Sequence, residues 1–333
     1  MGKIYLENGY LNVDYIWNKT KMFCPIVGAR GTGKSYGFLE YTIEHEQKFI
    51  LLRRLKTQIE TITGGEGNNP FKRLNINHGW DIQPAPAGEH VIFKNGEDVA
   101  GYAMALSTLA TVRGGDWSDV DVIIFDEFIA MDNERPIKNE FNAFMNFVET
   151  VNRNRELENK PSVKVFMLGN ANRLNNPYFA GWRLMKIVLR MIKGRQMVYR
   201  SEDGNKLLIL LIDSPISARK KETALYSDAR DDFIKMALEN VFYVDETATN
   251  SVPLKDLRHV VSVGEIGIYL RKSNGNYYVS ETINRINWYD GQGMPLKMVI
   301  ARYRLFSELY LYGKMEFENY ECELLFREYF NLI

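Results

Sequence analysis

Five short apolar runs recur along the first two-thirds of the chain, at residues 22–27, 48–52, 122–125, 162–168 and 207–212. Each is strand-sized and lacks a strict apolar–polar alternation, the pattern of strands buried on both faces in a parallel sheet. Helical spacing appears between them. Residues 35–46 place Phe38, Leu39, Thr42 and Ile43 on one side, and residues 136–157 place Ile137, Phe141, Phe144, Met145, Val148 and Val151 on another stripe. Strands are expected at 80–82, 90–93 and 99–106, with a hairpin turn at Lys94-Asn95-Gly96-Glu97. A further hairpin is expected around Asp203-Gly204-Asn205. Asn175-Asn176-Pro177 starts a helical stretch. The expected fold is therefore α/β, with a mainly parallel sheet over residues 1–213. A charged helical linker follows at 214–245, with its helix over 222–240. A small α+β domain covers 246–333, with strands at 265–272 and 276–281 joined at Asn274-Gly275 and helices at 295–312 and 318–330.

Two of the strands end in residues that carry chemistry. The run at 22–27 leads into Gly28-Ala29-Arg30-Gly31-Thr32-Gly33-Lys34-Ser35, which fits G-x-x-x-x-G-K-[ST] and is followed by a helical pattern. In such a phosphate-binding loop the glycines let successive N–H groups turn toward phosphate oxygens. The lysine reaches the β- and γ-phosphates, and the hydroxyl holds Mg²⁺. ATP and Mg²⁺ are the expected ligands. The run at 122–125 closes on Asp126-Glu127. A strand ending in two carboxylates is the Walker B pattern. Asp126 joins Ser35 in holding the metal, and Glu127 aligns and deprotonates the attacking water. Asn170, at the tip of the next strand, is placed to sense the γ-phosphate. Arg53-Arg54 stand at the end of the second strand, where ligands bind in open α/β sheets, or else form a solvated charge pair. Tyr10, Tyr15 and Trp17 precede the first strand; one of them is expected to stack on adenine, or all serve the core.

Asn152-Arg153-Asn154-Arg155-Glu156 offers two arginines near the end of the helix expected over 136–157. If the helix continues, Arg155 extends the apolar stripe toward its own subunit. Arg153 then lies roughly 100° or more from the stripe and projects outward.

The 333 residues carry 42 Lys+Arg and 42 Asp+Glu, so a globally basic nucleic-acid coat is excluded and any basic patch is local. Two cysteines, Cys24 and Cys322, make no disulfide framework and suggest a reducing compartment. No apolar run approaches a membrane span, and the expectation is a soluble protein of the cell interior, with no membrane partner.

The combination of GARGTGKSY, KFILLRRLK, VIIFDEF, NRNRE and GNANRLNNPYF resembles the DNA-packaging ATPases of small φ29-like tailed phages. The resemblance covers most of residues 20–215 and is weaker beyond. It implies an additional-strand, catalytic-glutamate ATPase related to large terminases. It also implies a homopentameric ring that sits on the portal of a prohead in the host cytoplasm and pumps in double-stranded DNA. The C-terminal domain would be a degenerate RNase H-like fold, and some relatives use a packaging RNA. Carried onto this chain, the resemblance implies Arg153 as a finger acting on the neighbouring subunit's nucleotide, and Lys56 as a second basic residue acting across that interface. The 107–118 loop would face DNA, with Arg113 as its phosphate contact. No predicted C-terminal strand carries a central Asp, and only Glu265 and Glu281 fall beside strands, so this domain reads as a docking module without nuclease activity. Two alternatives are another ring ATPase, such as a helicase or partition ATPase, and a nucleotide-gated scaffold that does not hydrolyse. A helicase calls for stacking aromatics, and the 107–118 loop offers only Trp117.

Overall fold

The computed structural model describes residues 4–109, 115–131, 134–172, 174, 176–212, 214–221, 223 and 250–332. Arg113 and the expected linker helix over 222–240 lie outside the described residues. The chain divides into two compact units. Met1–Arg173 with Gly194–Phe242 forms the first, and Leu174–Lys193 with Tyr243–Ile333 the second. The segment 174–193, which the sequence reading includes in the ATPase domain, thus groups with the C-terminal part of the chain.

The strands of the first unit are β1 (Phe23–Gly28), β2 (Phe49–Arg53), β3 (Ile82–Ala87), β4 (His90–Asn95), β5 (Asp98–Ala105), β6 (Val122–Asp126), β7 (Lys164–Gly169), β8 (Val198–Arg200) and β9 (Leu207–Leu211). They form one sheet in the order β3-β4-β5-β2-β6-β7-β1-β9-β8. The six strands from β5 to β9 in that order run parallel; β3, β4 and β8 add antiparallel margins. The apolar runs become the central strands because burial on both faces demands it: β1, β6 and β9 are buried at every position. The β7 strand lies between the phosphate-loop strand β1 and the Walker B strand β6, the extra strand that the resemblance implies. Trp17 is buried against Tyr41 and Phe166 and belongs to the core.

The strand expected over 80–82 lies instead at Ile82–Ala87, sharing only Ile82; it contains Pro84 and Pro86, which argue against a central strand but are compatible with an edge. At Ile82 the N–H is donated to Asn75, and the carbonyl accepts from the side chains of Asn69 and Asn75. Peptide groups alternate in direction along a strand, so Pro84 and Pro86 face the same outer side as Ile82.

The neighbours Arg53 and Arg54 have opposite fates. Arg54 is 1% exposed. Its Nε and Nη2 form a fork on Glu140, at 2.7 and 2.9 Å, and its Nη1 binds Glu134. The solvated-pair reading is thereby corrected for both residues, since Arg53 is also ion-paired.

In the second unit, β10 (Leu257–Val263), β11 (Ile266–Arg271), β12 (Tyr277–Ser280), β13 (Trp288–Tyr289) and β14 (Met315–Phe317) form a sheet in the order β13-β10-β11-β12-β14. The Asn-Gly hairpin joins β11 and β12 as expected. The helix expected over 295–312 is two helices, Gly293–Arg302 and Leu305–Leu311, and the last helix is Tyr320–Tyr329, capped by Asn319. Glu265 is paired with Lys186, and Glu281 accepts from Asn319. No helix among the described residues is long and apolar enough to cross a membrane.

Candidate nucleotide site

The phosphate loop connects β1 to the helix Lys34–Glu44. Gly31 and Gly33 have φ of +74° and +84°, which is why glycine occupies both turns. The Tyr10 ring lies over Gly33, so of the three early aromatics it is the one placed at this loop. A cleft of about 410 Å³ opens here, lined by Arg30, Gly31, Gly33, Lys34, Ser35 and Tyr36 from the loop side. Asp126, Glu127 and Met131 line it from the β6 side, and Leu168, Gly169 and Asn170 from β7. The sheet order explains this convergence. The tips of β1, β7 and β6 are adjacent at the carboxyl edge, and each delivers its terminal residues to one opening.

Lys34 is 8% exposed, and its ammonium donates to the carbonyls of Gly28 and Ala29, both at 2.8 Å. Asn170 Oδ1 lies 3.4 Å from the same nitrogen. Thr32 turns inward and donates to the Ala29 carbonyl at 3.1 Å. Burial lowers the Lys34 pKa from 10.5 to about 8, partly opposed by Asp126 and reinforced by Lys220 and Arg30. This has a measurable consequence. Below about pH 8 the free protein already carries the ammonium that phosphates need; above it, binding must first take up a proton. Nucleotide affinity is therefore expected to fall about tenfold between pH 7 and pH 9. Titration calorimetry at several pH values checks this, and a flat profile would show that Lys34 keeps its charge throughout.

The β6 strand ends with Asp126 almost buried and Glu127 at φ +56°, a left-handed conformation uncommon for glutamate. The backbone turn brings the 41%-exposed Glu127 side chain to the cleft while Phe128 re-enters the core. Phe128 packs so closely on Gly169 that a Cβ there would stand 2.8 Å from the ring. Arg53, at the end of β2, spans both acids: Nη2 is 2.9 Å from Asp126 Oδ2, and Nη1 is 2.7 Å from Glu127 Oε2. Sequence reading located Arg53 at the ligand edge without finding this pairing. Its signal is the register, since β2 and β6 are parallel neighbours with Leu52 opposite Phe125.

Arg153 and Lys56 are not among the residues lining the cleft. The helix expected over 136–157 runs only from Glu140 to Asn152. Arg153 caps it with φ +42°, so helical periodicity does not extend to either arginine. The 46%-exposed Arg153 side chain pairs with Asp116 at 3.2 Å and donates to the Gly115 carbonyl at 3.0 Å. Arg155 donates to the carbonyls of Ser118 and Val120 in its own subunit. Lys56, 44% exposed, pairs with Glu89 at 2.8 Å. Trp117 is 7% exposed and packs edge-on against His90 and Tyr102, so it is a core residue and no stacking platform.

Comparison with known proteins agrees with this architecture. The chain is 29% identical over 269 residues to the DNA packaging protein of Bacillus phage phi29, covering 76% of this chain and 73% of that protein. The crystal structure of the N-terminal domain of the DNA packaging ATPase from bacteriophage phi29 matches with a TM-score of 0.50 and 27% identity, over 62% of this chain and 97% of that one. The Phi-28 gp11 DNA packaging motor shares the fold at a TM-score of 0.60 and 19% identity, over 98% of this chain and 99% of that one. Residues 7–288 match the family of the Podovirus DNA encapsidation protein (Gp16), and the chain belongs to that family.

Proposed function

We propose that this protein is the ATP-hydrolysing subunit of a homopentameric ring that drives double-stranded viral DNA through the portal into a prohead. The observation that carries the reading is the convergence of Lys34, Ser35, Asp126, Glu127 and Asn170 on one cleft while Arg153 and Lys56 lie elsewhere on the subunit. The Ser35 hydroxyl and the Asp126 carboxylate are hard oxygen donors that suit Mg²⁺, which would neutralise charge on the β- and γ-phosphates. Lys34 and the loop N–H groups bind those phosphates. Glu127 orients the attacking water and accepts its proton. The Arg53 guanidinium holds Glu127 Oε2 at 2.7 Å, so that oxygen must part from Arg53 before it can take the proton of the water. Arg153 of one subunit stabilises charge on the γ-phosphoryl group held by the next, and Lys56 assists across the same interface. Arg113 grips DNA phosphates, and the second unit docks on the portal or a packaging RNA.

The test is hydrolysis by mixed rings in the presence of DNA and proheads. Arg153→Ala subunits and Lys34→Ala subunits should each be inactive alone. Mixtures should recover measurable turnover, because some interfaces then join an intact Lys34 to an intact Arg153. Mixtures no better than either variant alone would remove Arg153 from the neighbour's site, and an ATPase indifferent to DNA and proheads would sink the motor reading.

A further inference from the structure

On the helix that begins at the phosphate-loop lysine, Tyr36, Glu40 and Glu44 recur every four residues and so share one face. The end of the helix Lys72–His78 lies along this face. Asn77 donates to the Tyr36 hydroxyl at 2.9 Å. The two ring nitrogens of His78 meet the two glutamates, Nε2 at 2.6 Å from Glu40 and Nδ1 at 4.0 Å from Glu44. Trp80 stacks on the imidazole, with ring centroids 4.3 Å apart and planes 16° from parallel. One ligand atom from each of Glu40, Glu44 and His78 can be chosen so that all three lie within 4.8 Å of one another, a grouping found nowhere else among the described residues.

We propose that Glu40, Glu44 and His78 form a binding site for a divalent transition-metal ion of the zinc class, separate from the Mg²⁺ expected in the nucleotide cleft. The donor set decides the class. One imidazole with two carboxylates suits Zn²⁺ and its first-row neighbours, whereas Mg²⁺ and Ca²⁺ prefer oxygen alone. Ligand atoms around a tetrahedral zinc lie about 3.3 Å apart, given bonds of about 2.0–2.1 Å. With one ring nitrogen and one oxygen from each carboxylate, the three ligand atoms lie within 4.8 Å of one another, so rotations of these partly exposed side chains must draw them together onto a single ring nitrogen. The stacked indole limits the ring to in-plane adjustment, and Gly79, at φ +70°, ends the helix immediately after the ligand. Two carboxylates beside one imidazole also leave excess negative charge, which a divalent cation would balance. The ion would link the phosphate-loop helix to its neighbour one to two turns from Tyr36, a cleft-lining residue. This inference rests on the first unit alone and does not depend on the motor reading.

The chain has four histidines, so imidazole NMR resonances are individually assignable. Zn²⁺ titrated into the metal-free full-length protein should shift the His78 resonances and bind at one equivalent by calorimetry. Affinity should fall at least tenfold in His78→Gln and in Glu44→Gln, the latter leaving the His78–Glu40 contact in place. Excess Mg²⁺ should not displace the Zn²⁺. Shifts at other histidines with His78 unmoved, or equal affinity in Glu44→Gln and wild type, would overturn the site and leave the cluster a plain ion pair between helices.

Discussion

Glu127→Gln is expected to bind ATP within about twofold of wild type and to hydrolyse it about 10²–10⁴ times more slowly, the usual contribution of a positioned general base. The substitution keeps the size of the side chain and its hydrogen-bonding reach; it removes the proton acceptor together with the charge that faces Arg53. Asp126 remains paired with Arg53 on the other arm of the guanidinium, so the end of β6 should keep its geometry. The loss therefore belongs in kcat and not in nucleotide affinity. Single-turnover hydrolysis beside a binding titration separates the two. Hydrolysis at the wild-type rate would show that another group activates the water.

The second large effect concerns stability. Arg54→Ala should cost about 3–5 kcal/mol, because it leaves buried carboxylates without their cation. Glu140 is 4% exposed, while Glu134, with its side chain 15% exposed, also accepts from Gln58 at 3.1 Å, so most of the cost belongs to Glu140. Urea unfolding of the nucleotide-binding unit measures the cost. The triple variant Arg54→Leu/Glu134→Gln/Glu140→Leu should recover much of it, since replacing a buried ionic cluster by uncharged groups is often neutral. A single-variant cost below about 1 kcal/mol would fit an exposed ion pair and contradict the burial described above.

The site was legible wherever local sequence determines local geometry. The phosphate loop needs its glycines because of its own dihedral angles, and the apolar run before Asp126-Glu127 dictates a buried strand. The position of Asn170 at the tip of the strand after Asp126-Glu127 was also legible, whereas its approach to Lys34 follows from the sheet order. What could not be read depends on contacts distant in sequence. Nothing near Arg54 announces that Glu140, 86 residues away, will bury it, and nothing near Arg53 announces its fork on Asp126 and Glu127. The helix expected to reach Leu157 stops at Asn152, where Arg153 adopts a positive φ and its side chain turns to Asp116. The β10 strand was missed because Arg258, His259 and Ser262 interrupt its apolar residues. Tertiary packing selected that strand over its weak pattern.

The prolines of β3 also restrict how copies of this chain can add to one another. A sheet margin with free donors invites a strand from a neighbouring molecule, and repeated addition of that kind grows without limit. Here the outward peptide groups at Ile82 are already satisfied by Asn69 and Asn75. The next two outward positions are Pro84 and Pro86, which have no N–H to offer. An incoming strand would forfeit two consecutive hydrogen bonds and leave its own carbonyls unpaired, at about 1–3 kcal/mol each if buried. Polymerisation through this margin is thus disfavoured by the backbone itself.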